Sequence, residues 1–219
     1  MENKVKSLDI FGERSNREDL LKLTLYHAST EVKPVASIVF PGPRDGCDFG
    51  QGFYLTANKQ VAEEWVFDKV TPVINSYLCH ISKTDILHIS GEGWIRVIIA
   101  FRTQLIKTFF KSPVICGVIA DDRLDESIAS FLLGDIGDVR LIRSLDYCNL
   151  GVQYCLRTSS QYLFNHSFKE LKGMELQRAQ QRFLSRRFSM LDGLRKIRRE
   201  PVIGERFIED YVDLGDFYE

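Results

Sequence analysis

The stretch FGQGFYLT, residues 49–56, guides the interpretation of the whole chain. Its two glycines tolerate backbone angles and close contacts that a Cβ atom forbids, so Gly50-Gln51-Gly52 predicts a tight turn. The run Phe53–Leu55 predicts a short strand, and Asn58 predicts the N-cap of a helix over Gln60–Phe67. Two interpretations are open at this point: the turn feeds a core strand, or its bare backbone lies against a ligand.

Length and composition predict a single domain, or one domain with an appendage, in a chain of 219 residues. A hydrophobic fraction of 44% is enough for a core, and a net charge of -1 predicts no overall attraction to nucleic acid or membrane. The polar start Met1–Arg17 lacks the apolar core of a signal peptide, and the apolar run Val97–Ala100 is too short to span a bilayer. We therefore expect a cytoplasmic protein with no membrane partner.

The cysteines and histidines predict reduced thiols and no metal site. Five cysteines are an odd number, and Cys79, Cys116 and Cys155 lie inside apolar runs typical of buried strands. The chain contains no C-x-x-C pair, and its four histidines are scattered, so a zinc site is not expected.

Alternating apolar and polar residues predict a half-buried strand over Leu21–Ser29, with sequence LKLTLYHAS. The period of two places His27 on the same side as the leucines, which is unusual for a histidine. His27 is therefore either a hydrogen-bonded core residue or a polar group directed into a cleft.

Further elements follow from hydrophobic periodicity and turn residues. We predict strand-like segments over 35–40, 73–82, 86–89, 114–120 and 152–157, helices over 95–110 and 124–133, and a helix or strand over 139–145. Asp121 and Asp122 end the apolar strand 114–120, where Asp122 can cap the next helix or the pair can carry chemistry. Gln153 stands at the beginning of the last strand, a common position for a residue that faces a ligand.

The composition changes near the C-terminus. Residues 169–200 contain ten Lys and Arg against four acidic residues, whereas residues 201–219 contain six acidic residues and one arginine. This pattern predicts a basic helix followed by an acidic tail, and either a solvated helix face or a surface that meets a phosphate backbone explains it. We divide the chain into a domain over 20–166 and an extension over 167–219.

Four motifs in this order carry a resemblance to a known superfamily. They are LYHAS, then DFGQGFYLT with an A-x-x-W helix behind it, then VIADDR, and finally QYCLRT. Together they resemble the ADP-ribosyltransferase superfamily, in its diphtheria-toxin-like and poly(ADP-ribose) polymerase-like branch. More closely, they resemble an uncharacterised bacterial family of toxin-like ADP-ribosyltransferases, often encoded beside small antitoxin-like partners. The resemblance covers about residues 22–160.

The resemblance implies an α+β fold and an enzymatic function. Two small, mostly antiparallel sheets would surround an NAD cleft with helices on the flanks, and a C-terminal helical extension would follow. The protein would use NAD as substrate, release nicotinamide and transfer ADP-ribose to a protein or nucleic acid. An antitoxin protein would be a further partner.

The resemblance also implies roles for individual residues. His27 would hydrogen-bond a ribose hydroxyl of NAD, Tyr54 would stack on the nicotinamide ring, and Ser29 could support the nicotinamide ribose. Position 28 holds alanine where the superfamily has glycine. The NAD-binding set that the resemblance implies would be His27, Ala28, Ser29, Gly50, Gly52, Phe53 and Tyr54.

The third motif departs from the superfamily, because Gln153 stands where a glutamate is expected. Either Gln153 only orients the ribose, or Asp121 or Asp122 supplies the carboxylate. A third possibility is a module that binds NAD or ADP-ribose without turnover. A fourth is a nucleic-acid-binding protein that acts through its basic helix.

Overall fold

The computed structural model describes residues 19–40, 47–121, 123 and 126–218, and these contain nine strands and six α-helices. The strands are β1 (Leu20–Ser29), β2 (Phe53–Thr56), β3 (Val73–Ser82), β4 (Ile86–Ile89), β5 (Thr108–Phe109), β6 (Val114–Val118), β7 (Val152–Leu156), β8 (Leu163–Glu170) and β9 (Phe217–Tyr218). The helices are α1 (Lys59–Val66), α2 (Gly91–Thr103), α3 (Ser127–Leu132), α4 (Asp138–Cys148), α5 (Gly173–Arg199) and α6 (Ile208–Asp213).

Seven strands form one mixed sheet in the order β4-β6-β7-β2-β1-β3-β8. The pair β4–β6 is parallel, and every other neighbouring pair in this sheet is antiparallel. A separate two-stranded parallel sheet joins β5 to β9. The protein therefore has an α+β fold, as the sequence predicted.

The middle of the large sheet is weakly joined. The fully described strands β1 and β2 share one registered pair, Tyr26 with Thr56, whereas β1 and β3 match along all ten residues. We call the Tyr26–Thr56 connection the joint. It divides the sheet into halves β4-β6-β7-β2 and β1-β3-β8. The resemblance implied two separate sheets, but their strands form one sheet. The reason is that the last residue of β2, Thr56, still pairs with β1 before helix α1 begins.

Both halves nevertheless share a hydrophobic core. Leu25 of β1 and Leu55 of β2 belong to the same buried cluster as Tyr77, Val114 and Leu156. A second cluster lies on the opposite face of the half that contains β6 and β7, where α2 covers the sheet. The joint is therefore held by side-chain packing more than by backbone hydrogen bonds.

The helix after the FGQGFYLT stretch forms as predicted. Asn58 has an extended backbone, and its side-chain oxygen accepts hydrogen bonds from the backbone amides of Gln60 and Val61 at 3.1 and 3.3 Å. These bonds satisfy two amides that have no partner within the helix. Ala62 and Val66 then pack in one cluster with Tyr26 and Ala28 of β1.

Four predicted elements differ from the structure in their bounds or type. The predicted helix over 95–110 is α2, which begins at Gly91 and ends at Thr103 because Gln104 adopts a left-handed conformation with φ of 61°. The strand-like segment 35–40 is instead a 3-10 turn over Val35–Ser37 after Pro34. The helix expected over 124–133 is α3, and the ambiguous segment 139–145 lies in helix α4.

The C-terminal residues pack on the rest of the protein. The predicted boundary between residues 166 and 167 falls inside β8. Helix α5 buries Phe183 and Leu194 in a cluster with Val61 of α1 and Cys148 of α4. Helix α6 contributes Tyr211 to the cluster beneath α2.

Candidate functional site

Hydrogen bonds made by the side chain of Tyr54 stabilise the glycine turn. The backbone amide of Gly50 donates to the carbonyl of Cys47 at 3.1 Å, which closes the turn. The Tyr54 hydroxyl donates to the carbonyl of Gly50 at 2.6 Å and accepts from the amide of Phe49 at 2.9 Å. Burial raises the pKa of Tyr54, so its hydroxyl keeps the proton that it donates. The turn and the strand therefore form one hydrogen-bonded unit.

Both glycines meet atoms of the protein itself. Gly50 has φ of +75°, and a Cβ there would lie 2.5 Å from the ring of Phe101. A Cβ at Gly52 would lie 2.3 Å from the sulfur of Cys155. Packing alone accounts for the absence of side chains at both positions, so the close approach of a ligand stays a prediction.

His27 lies at the joint and is held from β2. Its Nδ1 is 2.8 Å from the carbonyl oxygen of Tyr54, and its ring lies over Phe53 with centroids 4.2 Å apart. A carbonyl oxygen only accepts, so Nδ1 carries the proton and Nε2 is the acceptor of the neutral ring. This tautomer can accept a hydrogen bond from a hydroxyl.

Tyr54 and His27 direct their rings to opposite faces of the sheet. Successive side chains of a strand alternate between faces, and His27 packs on the face of buried Phe53. The Tyr54 ring packs on the other face, near Phe49 and the cluster beneath α2. A ligand that contacts both side chains must therefore reach across the joint.

Gln153 belongs to a buried polar network. Gln153 is 5% exposed, and its Nε2 donates to Oδ2 of Asp48 at 2.7 Å. Oδ1 of Asp48 accepts from Nε and Nη2 of Arg102 at 3.0 and 2.5 Å. Gln153 also lies opposite Thr56 in the pairing of β7 with β2. The expected glutamate position thus holds an amide whose nitrogen faces a carboxylate.

Asp48 and Arg102 are site residues that our sequence analysis did not select. Asp48 directly precedes FGQGFYLT, and Arg102 interrupts the apolar face of the predicted helix. A charge on such a face is a signal that a buried partner exists elsewhere in the chain. The sequence alone does not identify that partner.

Asp121, the first of the two predicted acidic residues after β6, is bonded to Arg123 and not to this network in the described structure. Asp121 accepts hydrogen bonds from Nε and Nη2 of Arg123 at 2.9 and 2.7 Å, and from its backbone amide at 3.1 Å. The Arg123 guanidinium also lies 5.2 Å from the ring centre of Phe183 in α5. Asp122 lies outside the described residues. Asp48, rather than Asp121, is the carboxylate bonded to Gln153.

The remaining predicted residues flank His27. Ala28 packs toward α1, and the Ser29 hydroxyl accepts from the amide of Glu31 at 3.2 Å. Among the described residues, no group of His, Cys, Asp or Glu side chains is arranged to hold a metal ion. No helix in the same ranges is long and apolar enough to cross a membrane.

Fold and site together define an α+β protein with a histidine and an Asp–Gln–Arg network around the joint of its sheet, in which Asp48 and Gln153 are buried. Residues 23–166 match the family described as "Protein of unknown function (DUF3990)". Since this match spans more than half of the chain, the protein belongs to that family. Neither a curated protein nor a solved structure matches the chain.

Proposed function

We propose that the protein is an NAD-dependent mono-ADP-ribosyltransferase that acts as a bacterial toxin-like effector in the cytoplasm. The observation that carries the proposal is the hydrogen bond from Nδ1 of His27 to the carbonyl of Tyr54. It holds the imidazole at the joint with Nε2 as an acceptor, which suits a ribose hydroxyl. The motif resemblance assigns the same task to His27.

The proposed reaction exchanges one glycosidic bond for another. The bond between C1′ of the ribose and the nicotinamide nitrogen breaks, and its electron pair leaves with neutral nicotinamide. A nucleophile of the acceptor, on a protein or nucleic acid, forms the new bond to C1′ and releases its proton. Positive charge develops on the ribose as the first bond breaks, as in glycoside cleavage.

Gln153 and Asp48 would act together on the ribose. Because Nε2 of Gln153 donates to Asp48, Oε1 is the amide atom that remains as an acceptor for a ribose hydroxyl. The carboxylate of Asp48 adds negative charge behind the amide, and Arg102 offsets part of it. This arrangement supports Gln153 as an orienting residue with weaker charge stabilisation than a glutamate gives.

Tyr54 would contribute its ring to nicotinamide binding. Its hydroxyl is already bonded to the glycine turn, so only the aromatic face is proposed to meet the ligand. The dinucleotide would then reach across the joint, from His27 on one face of the sheet to Tyr54 on the other.

The test is transfer of label from adenylate-labelled NAD to bacterial lysate. We expect His27→Ala to lower labelling by about a hundredfold, because the ribose loses its positioning group. His88→Ala, at an exposed histidine on β4, is the matched control and should label like the unmodified protein. Equal labelling by His27→Ala and His88→Ala would refute the proposed site.

A binding module is the second candidate, favoured by the uncharged Gln153. In that case calorimetry detects NAD or ADP-ribose binding that depends on His27, while no nicotinamide appears during long incubation. Binding of nucleic acid through α5 is supported less well. Two of the basic residues of that helix, Arg182 and Arg186, pair with the acidic residues Glu63 and Glu64 of α1.

A further inference from the structure

A pocket of about 780 Å³ lies beside the glycine turn, next to the candidate site. It is bounded by Gly50 and Gln51, by the C-terminal end of α2, by the segment 109–112 and by the end of β7. His27, Tyr54 and Gln153 are not among its lining residues. The volume exceeds that of a mononucleotide and lies within the range of ordinary ligand sites.

The lining of the pocket is positively charged. Lys111 and Arg157 line it together with the amide side chains of Gln51 and Gln104, and all lining residues are described and include no carboxylate. The whole protein has a net charge of -1, so this concentration of positive charge is local. An uncompensated pair of cations in a concave site favours a phosphate.

Arg157 is already held in position for such a ligand. Its Nη1 donates to the carbonyl of Phe110 at 2.9 Å, and its backbone amide donates to Pro113 at 2.9 Å. Nε of Arg157 is buried without a hydrogen-bond partner among the described residues. Because the Arg157 side chain is already ordered, it loses less conformational entropy when an anion binds, and binding is correspondingly more favourable. Nε is too buried to meet a ligand, but among the described residues only the Phe110 carbonyl accepts from the Nη atoms, so their remaining N–H groups are available to an anion.

Aromatic side chains complete the pocket. Phe101 and Phe110 lie in its wall with ring centres 6.4 Å apart, and the side chain of Phe109 is 57% exposed. Exposed aromatic faces beside cations are the features on which nucleic acid bases stack in binding proteins. A ligand that carries both a phosphate and a planar ring would match both features of this pocket.

We propose that this pocket binds a nucleoside phosphate, with its phosphate at Lys111 and Arg157 and its base on Phe109. A free nucleotide and one nucleotide of a single strand offer the same chemistry. The proposal does not depend on NAD chemistry in the candidate site. It adds a second nucleotide site beside the Gly50–Gln51 turn.

Titration calorimetry with four probes tests the pocket: AMP, adenosine, inorganic phosphate and a single-stranded pentanucleotide. We expect AMP to bind at least about tenfold more tightly than adenosine or phosphate, because each lacks one half of the recognised chemistry. A pentanucleotide that binds more tightly than AMP identifies a strand as the source, and equal binding identifies a free nucleotide. Adenosine or phosphate binding as tightly as AMP would overturn the proposal.

Substitutions locate the binding. Lys111→Gln should weaken AMP binding about tenfold, and Arg157→Gln should weaken it at least as much. Lys107→Gln, an exposed lysine outside the lining, is the matched control and should stay within about twofold. Lys111 is exposed and its side chain has no hydrogen bond to any residue that the structure describes, so its variant remains informative if Arg157→Gln unfolds.

His27→Ala separates this proposal from the proposed function. It should lower label transfer from NAD about a hundredfold and leave AMP binding at the pocket within about twofold, because His27 does not line the pocket. AMP binding that disappears with His27 but survives Lys111→Gln would place the nucleotide at the joint and overturn the proposal. AMP binding with no label transfer would leave the pocket standing while the transferase proposal fails.

Discussion

Asp48 ties together three parts of the chain that are distant in sequence. Its carboxylate accepts from Gln153 of β7 and from Arg102 of α2, while its own backbone lies inside the turn that the Gly50–Cys47 hydrogen bond closes. Both Asp48 and Gln153 are buried, so their polar atoms depend on these bonds instead of water. The conformation of the turn and the orientation of the Gln153 amide are therefore coupled.

Replacement of Asp48 should be costly for stability. Asp48→Asn keeps the shape of the side chain and removes the charge that faces Arg102, so we expect a loss of about 2–4 kcal/mol in the free energy of unfolding. Urea denaturation followed by circular dichroism measures it. Asp68→Asn, at an exposed aspartate paired with Lys69, is the control and should change stability by less than about 0.5 kcal/mol. Equal losses in the two variants would contradict a structural role for the network.

Single residues were predictable where a local rule acts on them. Asn58 caps α1 because a side-chain amide before an apolar helix satisfies the first amides, and that rule needs no tertiary structure. The predicted burial of Cys79, Cys116 and Cys155 is likewise confirmed. The hydrogen bond between Asp48 and Gln153 joins residues 105 positions apart, so it cannot be predicted from the sequence around either residue.

At the scale of elements, helices α1 and α5 are joined by ion pairs that are partly buried. Glu64 of α1 is 3% exposed and lies 3.2 Å from Nη2 of Arg186 on α5. Burial raises the pKa of the Glu64 carboxyl, while Arg186 and Arg182 oppose that shift. The basic residues on this side of α5 therefore serve the attachment of the helix.

Removal of Arg186 should weaken that attachment in a pH-dependent way. Arg186→Gln should cost about 1–3 kcal/mol at neutral pH, because the buried Glu64 carboxylate loses a counter-charge. A carboxyl with a raised folded pKa loses stability as the pH rises through that pKa, so the deficit should shrink when Glu64 is protonated in acid. Urea denaturation from pH 4 to 7 measures this trend.

Arg187→Gln is the matched control for the same helix. Arg187 is exposed and adjacent in sequence, so its replacement should leave the free energy of unfolding within about 0.5 kcal/mol at each pH. A deficit of Arg186→Gln that does not change with pH would contradict the assigned role of Glu64.

The bounds of elements were predicted less well than their order. Apolar periodicity continues past Thr103, so the sequence extended helix α2 to residue 110. The structure ends the helix because Gln104 turns left-handed and its amide bonds to the carbonyl of Ala100 at 3.1 Å. A glycine in the sequence often marks the left-handed residue that ends a helix, whereas a glutamine does not.

For the whole molecule, the resemblance to the ADP-ribosyltransferase superfamily implied the α+β class, which the structure has, but the sequence did not predict how the strands connect. Strand β3 was predicted with its observed bounds because Val73–Ser82 is flanked by clear turns. The single pair between Tyr26 and Thr56 could not be predicted, because it depends on where two distant strands meet. Register between strands is set by tertiary packing.

The buried thiols predict how the stability of the whole protein depends on alkaline pH. Burial raises the pKa of Cys79 and Cys155 to about 12, compared with about 8.5 in an unfolded chain. Groups with raised folded pKa values stabilise the protein fully below the unfolded pKa and lose that contribution as the pH rises toward 12. The free energy of unfolding should therefore fall between pH 8.5 and 10, by up to roughly 1.4 kcal/mol per pH unit for each thiol.

Urea denaturation with a reductant present checks this dependence. Replacing both cysteines by alanine should flatten the slope between pH 8.5 and 10, even though it lowers the stability itself through lost packing. An unchanged slope in the double variant would show that other groups govern the alkaline loss.

The joint also has a consequence for how the protein folds. The chain passes from one half of the sheet to the other four times: between β1 and β2, β2 and β3, β3 and β4, and β7 and β8. Only one registered residue pair connects the halves within the sheet. The chain itself nevertheless crosses between them so often that cleaving it at one place would not separate them. Because contacts so distant in sequence must form together, neither half can complete its folding first, and the rate of folding will be set by closing these long loops.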